Sequence, residues 1–328
     1  MKVALICNTR QSNKEFEVEY DPPDTIKKIM QGIERSGHEA LFIEANEDAY
    51  PKLVKLKPDL VFNRAEGIRG ESRESQIPAF LEMLGIPYVG SNILTTATCL
   101  DKAMAKTVIS FHKISTPRFQ VLANNSDRLN SELVFPLILK PIHEGSSIGI
   151  NEDNVVWNED SLRKKALNML KKYEEPILVE EFIEGRELSV GLLGNDKPPV
   201  LPILEVDFSK FPKELATVYG QKAKTLFDSS ANYICPAKLS QYKREEIEDM
   251  SIRCFNVLNC RDFARIDFRM NKSGRLYVLE VNPLPGLDYD EGKDELSFYP
   301  IMAKASGLSY SEMVRKILNA AVKRYHLE

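Results

Sequence analysis

The stretch FARIDFRMNKSGRLYVLEVNPLPG, residues 263–286, sets Arg265 two positions before Asp267 and, beyond NKSG, Glu280 two positions before Asn282. Alternating apolar and polar residues on both sides of NKSG predict a hairpin, and a period of two puts each pair on one strand face. If Met270 lies opposite Arg275, then Arg265 lies opposite Glu280 and all four polar side chains share a face. A turn one residue longer or shorter would separate the pairs. An Asp, a Glu and an Asn carbonyl make a hard oxygen site of the kind Mg2+ takes, with waters and phosphate oxygens in its other positions. The arginine beside them can hold negative charge developing on a substrate. The plainer alternative is a solvated face with a cross-strand Arg–Glu pair.

Two further stretches suit the same chemistry. ELVFPLILKP (132–141) ends an apolar run on Lys140, and HEGSSIG (143–149) follows it. An ammonium leaving a buried strand wants an anionic partner, and a loop of small residues can wrap phosphates with backbone N–H groups. The loop is neither a Walker A nor a G-x-G-x-x-G motif. VEEFIEGREL (179–188) clusters Glu180, Glu181, Glu184 and Glu187; it reads as an acidic connector that can meet a ribose, or as an exposed charged turn. Together these pieces are what a Mg-nucleotide held between two sheets requires.

The surrounding elements must position them. Residues 1–98 alternate strands (VALIC, ALFIEA, DLVFN, YVG) with helices, which predicts a parallel sheet with functional loops at strand C-termini, NRAEGIRGES (63–72) among them. The first helix sets Ile26, Ile29, Met30 and Ile33 on one stripe, with Asp24 or Thr25 to cap it and Gly37 to end it. A second module, 99–185, carries strands around a helix at 160–175. A third, 186–328, is strand-rich, with a long loop at 223–239, a helix at 243–259, the hairpin and a closing helix. The fold class is therefore α/β: an N-terminal Rossmann-like domain, a small central α+β domain and a C-terminal α+β domain.

Composition narrows the function. The chain has 328 residues, 43% hydrophobic and 28% charged, with net charge −4, which disfavours a nucleic-acid surface. No apolar run is long enough to span a membrane, and MKVALICNTR reads as a first strand rather than a leader. Five cysteines without close pairing predict buried free thiols in a reducing cytoplasm.

In order and spacing, LKPIHEGSSIGI, VEEFIEGRELSVGLLGN, YICPAKL and ARIDFRMNKSGRLYVLEVNPLPGL resemble the ATP-grasp superfamily, in its D-alanine–D-alanine ligase branch. MLGIPYVGS and CLDKAMAK are similar to that branch's link between first and second domains. The resemblance implies ATP and two Mg2+ ions, with Mn2+ as a substitute. It implies that Lys102 and Lys140 hold phosphates, and that Glu180, with backbone of Glu181 and Ile183, meets the adenine. Glu187 would meet the ribose and Lys224, on a mobile loop, the phosphates. Asp267, Glu280 and Asn282 would bind metal, and Arg265 with the Gly286 N–H would form an oxyanion site. The implied reaction activates a carboxylate as an acylphosphate, which an amine then attacks.

Departures from the branch gather at the substrates. Its glycine-rich opening with a serine and an ammonium-holding glutamate becomes CNTRQSNKEFEVEYDPPDT, where Glu17 or Glu19 can substitute. Its His-Gly turn and acidic pair become NRAEGIRGESRES, whose Arg64, Arg69 and Arg73 can face an acidic substrate. Thr225 replaces the tyrosine that joins the glutamate and the loop serine, here Ser146, around the first amino acid. GLDYDEGKDELSFYP is long; Ser297 meets the second substrate's carboxylate if the extra residues form a bulge. The leading expectation is an ATP-dependent carboxylate–amine ligase for small-molecule substrates other than two D-alanines, cytoplasmic, and a homodimer through its first domain. The alternatives are a divergent D-alanine–D-alanine ligase, and an ATP-binding protein or phosphotransferase without ligase turnover.

Overall fold

The structure is a computed structural model, and it describes residues 1–12, 14–212, 218–227, 230–290 and 295–327. Its first sheet is parallel, in the order β2-β1-β3-β4, built from β1 (Lys2–Cys7), β2 (Glu39–Glu44), β3 (Leu60–Arg64) and β4 (Tyr88–Val89). Helices α1 (Pro23–Arg35), α2 (Ala49–Leu56) and α3 (Gln76–Leu84) connect these strands. Neither Asp24 nor Thr25 caps α1; Pro22 holds the N-cap position. The Thr25 hydroxyl instead accepts from the backbone N–H of Tyr289 at 2.9 Å, tying this helix to the far end of the chain. Helices α4 (Ile93–Leu100) and α5 (Lys102–Phe111) lead into a second, antiparallel sheet. Its strands are β5 (Phe119–Leu122), β6 (Leu137–Pro141), β7 (Val155–Val156) and β8 (Ile177–Glu181), in the order β5-β8-β6-β7, with α6 (Glu159–Tyr173) packed on them.

The third sheet runs β11-β10-β9-β12-β13, from β9 (Gly185–Leu193), β10 (Leu204–Val206), β11 (Tyr233–Ile234), β12 (Phe263–Asn271) and β13 (Leu276–Asn282). The expected loop at 223–239 is partly regular: α7 (Gln221–Phe227) covers its start and β11 its end. Helix α8 (Gln241–Val257) packs its Ile247, Cys254 and Phe255 against this sheet. The segment after the hairpin forms a second small hairpin, β14 (Tyr289–Asp290) with β15 (Glu295–Leu296), followed by α9 (Phe298–Ala305) and α10 (Tyr310–Arg324). One apolar core joins Val3, Leu5 and Phe62 of the first sheet to Phe263, Tyr299 and Ile317. It can close because Gly32 admits α10: a Cβ there would stand 2.7 Å from Val314 Cβ. Of the five free cysteines four are buried and Cys235 is half-buried. Among the described residues no helix is long and apolar enough to cross a membrane.

The register of the β12–β13 hairpin corrects the expectation. Asn271 Oδ1 accepts from the backbone N–H groups of Ser273 and Arg275, so the turn closes with Met270 opposite Leu276, not Arg275. Carried straight through, that register would set Glu280 opposite Ile266, on the wrong face. A β-bulge between Asp267 and Phe268 shifts the pairing by one more residue, and Asp267 faces Glu280 while Arg265 faces Asn282. The four side chains share a face, with different partners from those expected.

Candidate active site

On the β6–β8 wall, Ile138 lies opposite Glu180, so Lys140 and Glu180 are diagonal neighbours on one face. Lys140 Nζ is 2.5 Å from Glu180 Oε1, and Lys106 Nζ, reaching in from α5, is 2.8 Å from Oε2. Burial alone would push the Glu180 carboxyl up; the two ammonium groups more than offset it and hold it below the usual carboxylate range. Burial lowers Lys106 in turn, against the pull of Glu180. Lys102 opens α5, and its ammonium donates to the Glu144 carbonyl. The loop after β6 turns on two consecutive left-handed serines, Ser146 (φ 45°) and Ser147 (φ 60°), a conformation uncommon for non-glycine residues.

On the β9–β12 wall, Asp267 lies opposite Ser189 and Arg269 opposite Glu187. Asp267 accepts from the Ser189 hydroxyl (2.7 Å), from Arg265 Nε and Nη2 (2.9 and 2.8 Å) and from the Asn282 amide (3.0 Å). Glu280 stands 3.9 Å from Arg265 Nη2. Burial would raise the Glu280 carboxyl, but Lys102 and then Arg265 hold it down at about 2. Asp267 moves the other way, raised by burial and by the Glu280 charge against the opposing pull of Arg265. Arg269 pairs with Glu187 at 2.7 Å and donates to the Gly185 carbonyl at 2.9 Å.

The two walls enclose one cleft, lined by Lys102, Lys140, Glu180, Glu181, Ile183, Glu187, Asp267 and Glu280, all named from sequence. Asn282 joins it through Asp267. Lys224 stands with its ammonium 5.7 Å from the ring centre of Tyr219, another lining residue. Of the two loop serines, Ser147 lines the cleft and donates to the Tyr219 carbonyl, whereas Ser146 is not among the lining residues. Ser297 donates to the Gly286 carbonyl at 3.0 Å; the extra residues before it form the β14–β15 hairpin rather than a bulge, with 291–294 outside the described residues. The side chain of Thr225 also lies outside them.

The substrate-side expectations divide. Glu17 accepts the backbone N–H groups of Gln11 (2.9 Å) and Ser12 (2.7 Å), so its carboxylate anchors its own loop. Glu19 faces the small-residue loop: a Cβ on Gly145 would stand 1.9 Å from its Oε1. The three arginines expected to face an acidic substrate are engaged elsewhere. Arg64 is buried against Asp21 (3.1 Å) and the Pro285 carbonyl (2.7 Å). Arg69 is out in solvent, 3.5 Å from Glu47, and Arg73 bridges Glu19 (2.8 Å), Glu144 (3.5 Å) and the His143 carbonyl (2.9 Å). Sequence reasoning missed Lys106, Arg269 and Tyr219. Lys106 sits one helical turn after Lys102, and Arg269 two residues after Asp267, so the same periodicities would have found both; Tyr219 carried no such signal.

Two carboxylates and an amide oxygen at one place suit a divalent cation that keeps phosphate oxygens and water. Flanked by buried lysines, the cleft is shaped for a polyanion that brings such a cation with it. Residues 102–319 match the family described as D-ala D-ala ligase C-terminus. The chain belongs to the D-alanine–D-alanine ligase family. It is an ATP-dependent ligase of the ATP-grasp fold. It is 33% identical to the D-alanine–D-alanine ligase of Aquifex aeolicus, over 97% of this chain and 100% of that protein. It is also 33% identical to y4sG, an uncharacterized protein of Sinorhizobium fredii, over 99% of this chain and 98% of that one. The crystal structure of the Bacillus anthracis D-alanine–D-alanine ligase complexed with ATP superposes with a TM-score of 0.76 at 25% identity, covering 100% of this chain and 99% of that one. In this ligase, then, the paired charges line the cleft of a nucleotide-using enzyme.

Proposed function

We propose that this ligase phosphorylates a substrate carboxylate with ATP and joins the acylphosphate to an amine, and that its substrate pair is other than two D-alanines. The observation that carries the chemistry is Asp267, held by Ser189, Arg265 and Asn282 beside Glu280 and across the cleft from Lys140. Lys102, Lys140 and Lys224 hold the phosphates, Glu180 with the backbone of Glu181 and Ile183 meets the adenine, and Glu187 meets the ribose. Asp267, Glu280 and Asn282 hold the divalent cations, two Mg2+ with Mn2+ as a substitute. Held by these residues, such ions would supply positive charge that offsets the phosphates. Arg265 and the Gly286 N–H stabilise the oxyanion formed when the amine attacks. Glu19 takes the first substrate's ammonium, with Ser146 beside it, and Ser297 takes the second substrate's carboxylate. The three sheets support a division at 98/99 and 185/186, and the reading carries with it a cytoplasmic homodimer.

What supports a changed substrate pair is the diversion of Glu17 into its own loop and the arginines at 64–73, where the family carries a His-Gly turn and an acidic pair. Two relatives named D-alanine–D-alanine ligase favour the second reading, a divergent enzyme of that specificity. Incubation with ATP, Mg2+ and separate amino-acid pools, followed by phosphate release and the mass of the amide product, decides between them. Turnover with D-alanine alone supports the second reading; turnover with a different pair supports the first. Failure to bind ATP removes both.

A further inference from the structure

After the β12–β13 hairpin, the successive carbonyls of residues 285–288 are each held by a donor from elsewhere in the chain. Arg64 Nη1 donates to the Pro285 carbonyl at 2.7 Å and the Ser297 hydroxyl to the Gly286 carbonyl at 3.0 Å. The Tyr310 hydroxyl donates to the Leu287 carbonyl at 2.7 Å and the Ser297 N–H to the Asp288 carbonyl at 3.1 Å. Among these donors only Arg64 is an ion. It closes β3, at the root of the loop that follows, and is 2% exposed. Its Nη2 meets Asp21 Oδ1 at 3.1 Å. Burial works against the guanidinium charge; Asp21, and then Glu66, hold it.

This buried pair is a poor source of stability. Desolvating two charges offsets much of their attraction. Arg64 Nε and Asp21 Oδ2 are also buried with no hydrogen-bond partner among the described residues. What the pair achieves is local. The Pro285–Gly286 peptide is trans, so its C=O and N–H point in opposite directions and turn as one plane. A guanidinium that grips the oxygen fixes the aim of the Gly286 N–H. It also draws charge through the amide and makes that N–H a stronger donor. Gly286 is half-buried, and its N–H has no acceptor among the described residues.

We infer that Arg64 is a positioning residue for the reaction: through the Pro285 carbonyl it orients and strengthens the Gly286 N–H as an oxyanion donor. The inference rests on the oxyanion role proposed for Gly286. By this bond the first sheet acts on a step carried out beside the third.

Pro285–Gly286 is the only Pro–Gly pair in the sequence. Full-length protein labelled with carbonyl-13C proline and 15N glycine therefore gives a single HNCO correlation, that of this peptide. Asp21→Asn/Arg64→Met removes the guanidinium and leaves no buried charge behind. In that double variant the Pro285 carbonyl signal moves upfield, towards its position in urea-unfolded protein, and the Gly286 proton moves upfield with it. With the amino acids that give amide in the pool assay, single-turnover amide formation falls about 10-fold, less than the roughly 10²-fold of a lost oxyanion donor, and KM for ATP is unchanged. Tyr310→Phe, which releases the Leu287 carbonyl, is the control for structural damage: it lowers the urea midpoint and leaves the correlation and the rate in place. An unmoved correlation in the double variant, or an equal loss of rate in both variants, overturns the inference. If the double variant does not fold, the wild-type spectrum decides: a Pro285 carbonyl signal downfield of its unfolded position upholds the bond, and one at that position overturns it. A moved correlation with an unchanged rate removes the oxyanion role of Gly286, and absence of any amide removes the ligase reading; in both cases the correlation still reports whether Arg64 sets the Gly286 N–H.

Discussion

On the hairpin side of the cleft, buried charge is compensated within the chain. Asp267 accepts five hydrogen bonds from three side chains, Glu180 has two ammonium partners and Glu187 has Arg269. On the loop side, Glu66 and Glu74 are also buried, but they make no side-chain hydrogen bond or ion pair among the described residues and meet Arg64, Arg73 and Lys102 only through longer-range attraction. Partners already present hold the first set of side chains in place before any ligand arrives, which is what phosphoryl transfer requires. On the other side, burial and the repulsion of neighbouring acids outweigh the distant cations and hold both carboxyls above the usual carboxylate range. The contrast separates charges fixed by direct partners from charges held only at longer range.

Substitutions can break this contrast, beginning with the largest effect. Glu280→Gln removes a carboxylate from the proposed metal site, and kcat falls about 10³-fold with the fold intact; a circular dichroism spectrum beside a phosphate-release assay checks both, and wild-type turnover would refute the metal role. Glu180→Ala strands Lys106 and Lys140 without their anion and costs about 3–5 kcal/mol of stability, read from urea unfolding. Arg265→Ala lowers the rate of amide formation about 10²-fold, and an unchanged single-turnover rate would mean that this guanidinium does not face the oxyanion.

The loop side responds to pH instead. Glu74 is raised to about 7 from 4.5, so its neutral form favours the fold. The stability it lends is complete below about 4.5 and is lost as pH rises through about 7. Urea midpoints at pH 5 and pH 8 should differ less in Glu74→Gln than in the wild type, and parallel profiles would show that Glu74 does not titrate in this window. The smallest effect is at Arg69, whose side chain is 82% exposed: Arg69→Ala shifts stability by less than about 0.5 kcal/mol and leaves turnover alone, which separates it from Arg73 a few residues on.

Most of the hairpin side was legible because its logic is periodic. Alternation along residues 263–282 is enough to set Arg265 with Asp267 and Glu280 with Asn282, and one helical turn links Lys102 to Lys106. The partners across the hairpin were not legible, because a β-bulge shifted them by a residue that no local pattern announces. Glu17 and Glu19 look equivalent in sequence; only the folded loop gives one of them two backbone donors and turns the other towards Gly145. The expectation that Arg64 and Arg73 face an acidic substrate failed for the same reason, since Asp21 and Glu19, more than forty positions away, meet them first.

Taken alone, the residue order determined the strand faces that carry the polar side chains, since these depend on spacings within one short segment, and the reaction class followed from the resemblance of four separate blocks to a known family. Tertiary structure decided which charges find partners: electrostatic pairing falls off within a few ångströms, and only chain folding brings distant segments that close. That is why the strand faces of this ligase could be read from a line of letters, and the partners of its buried charges could not.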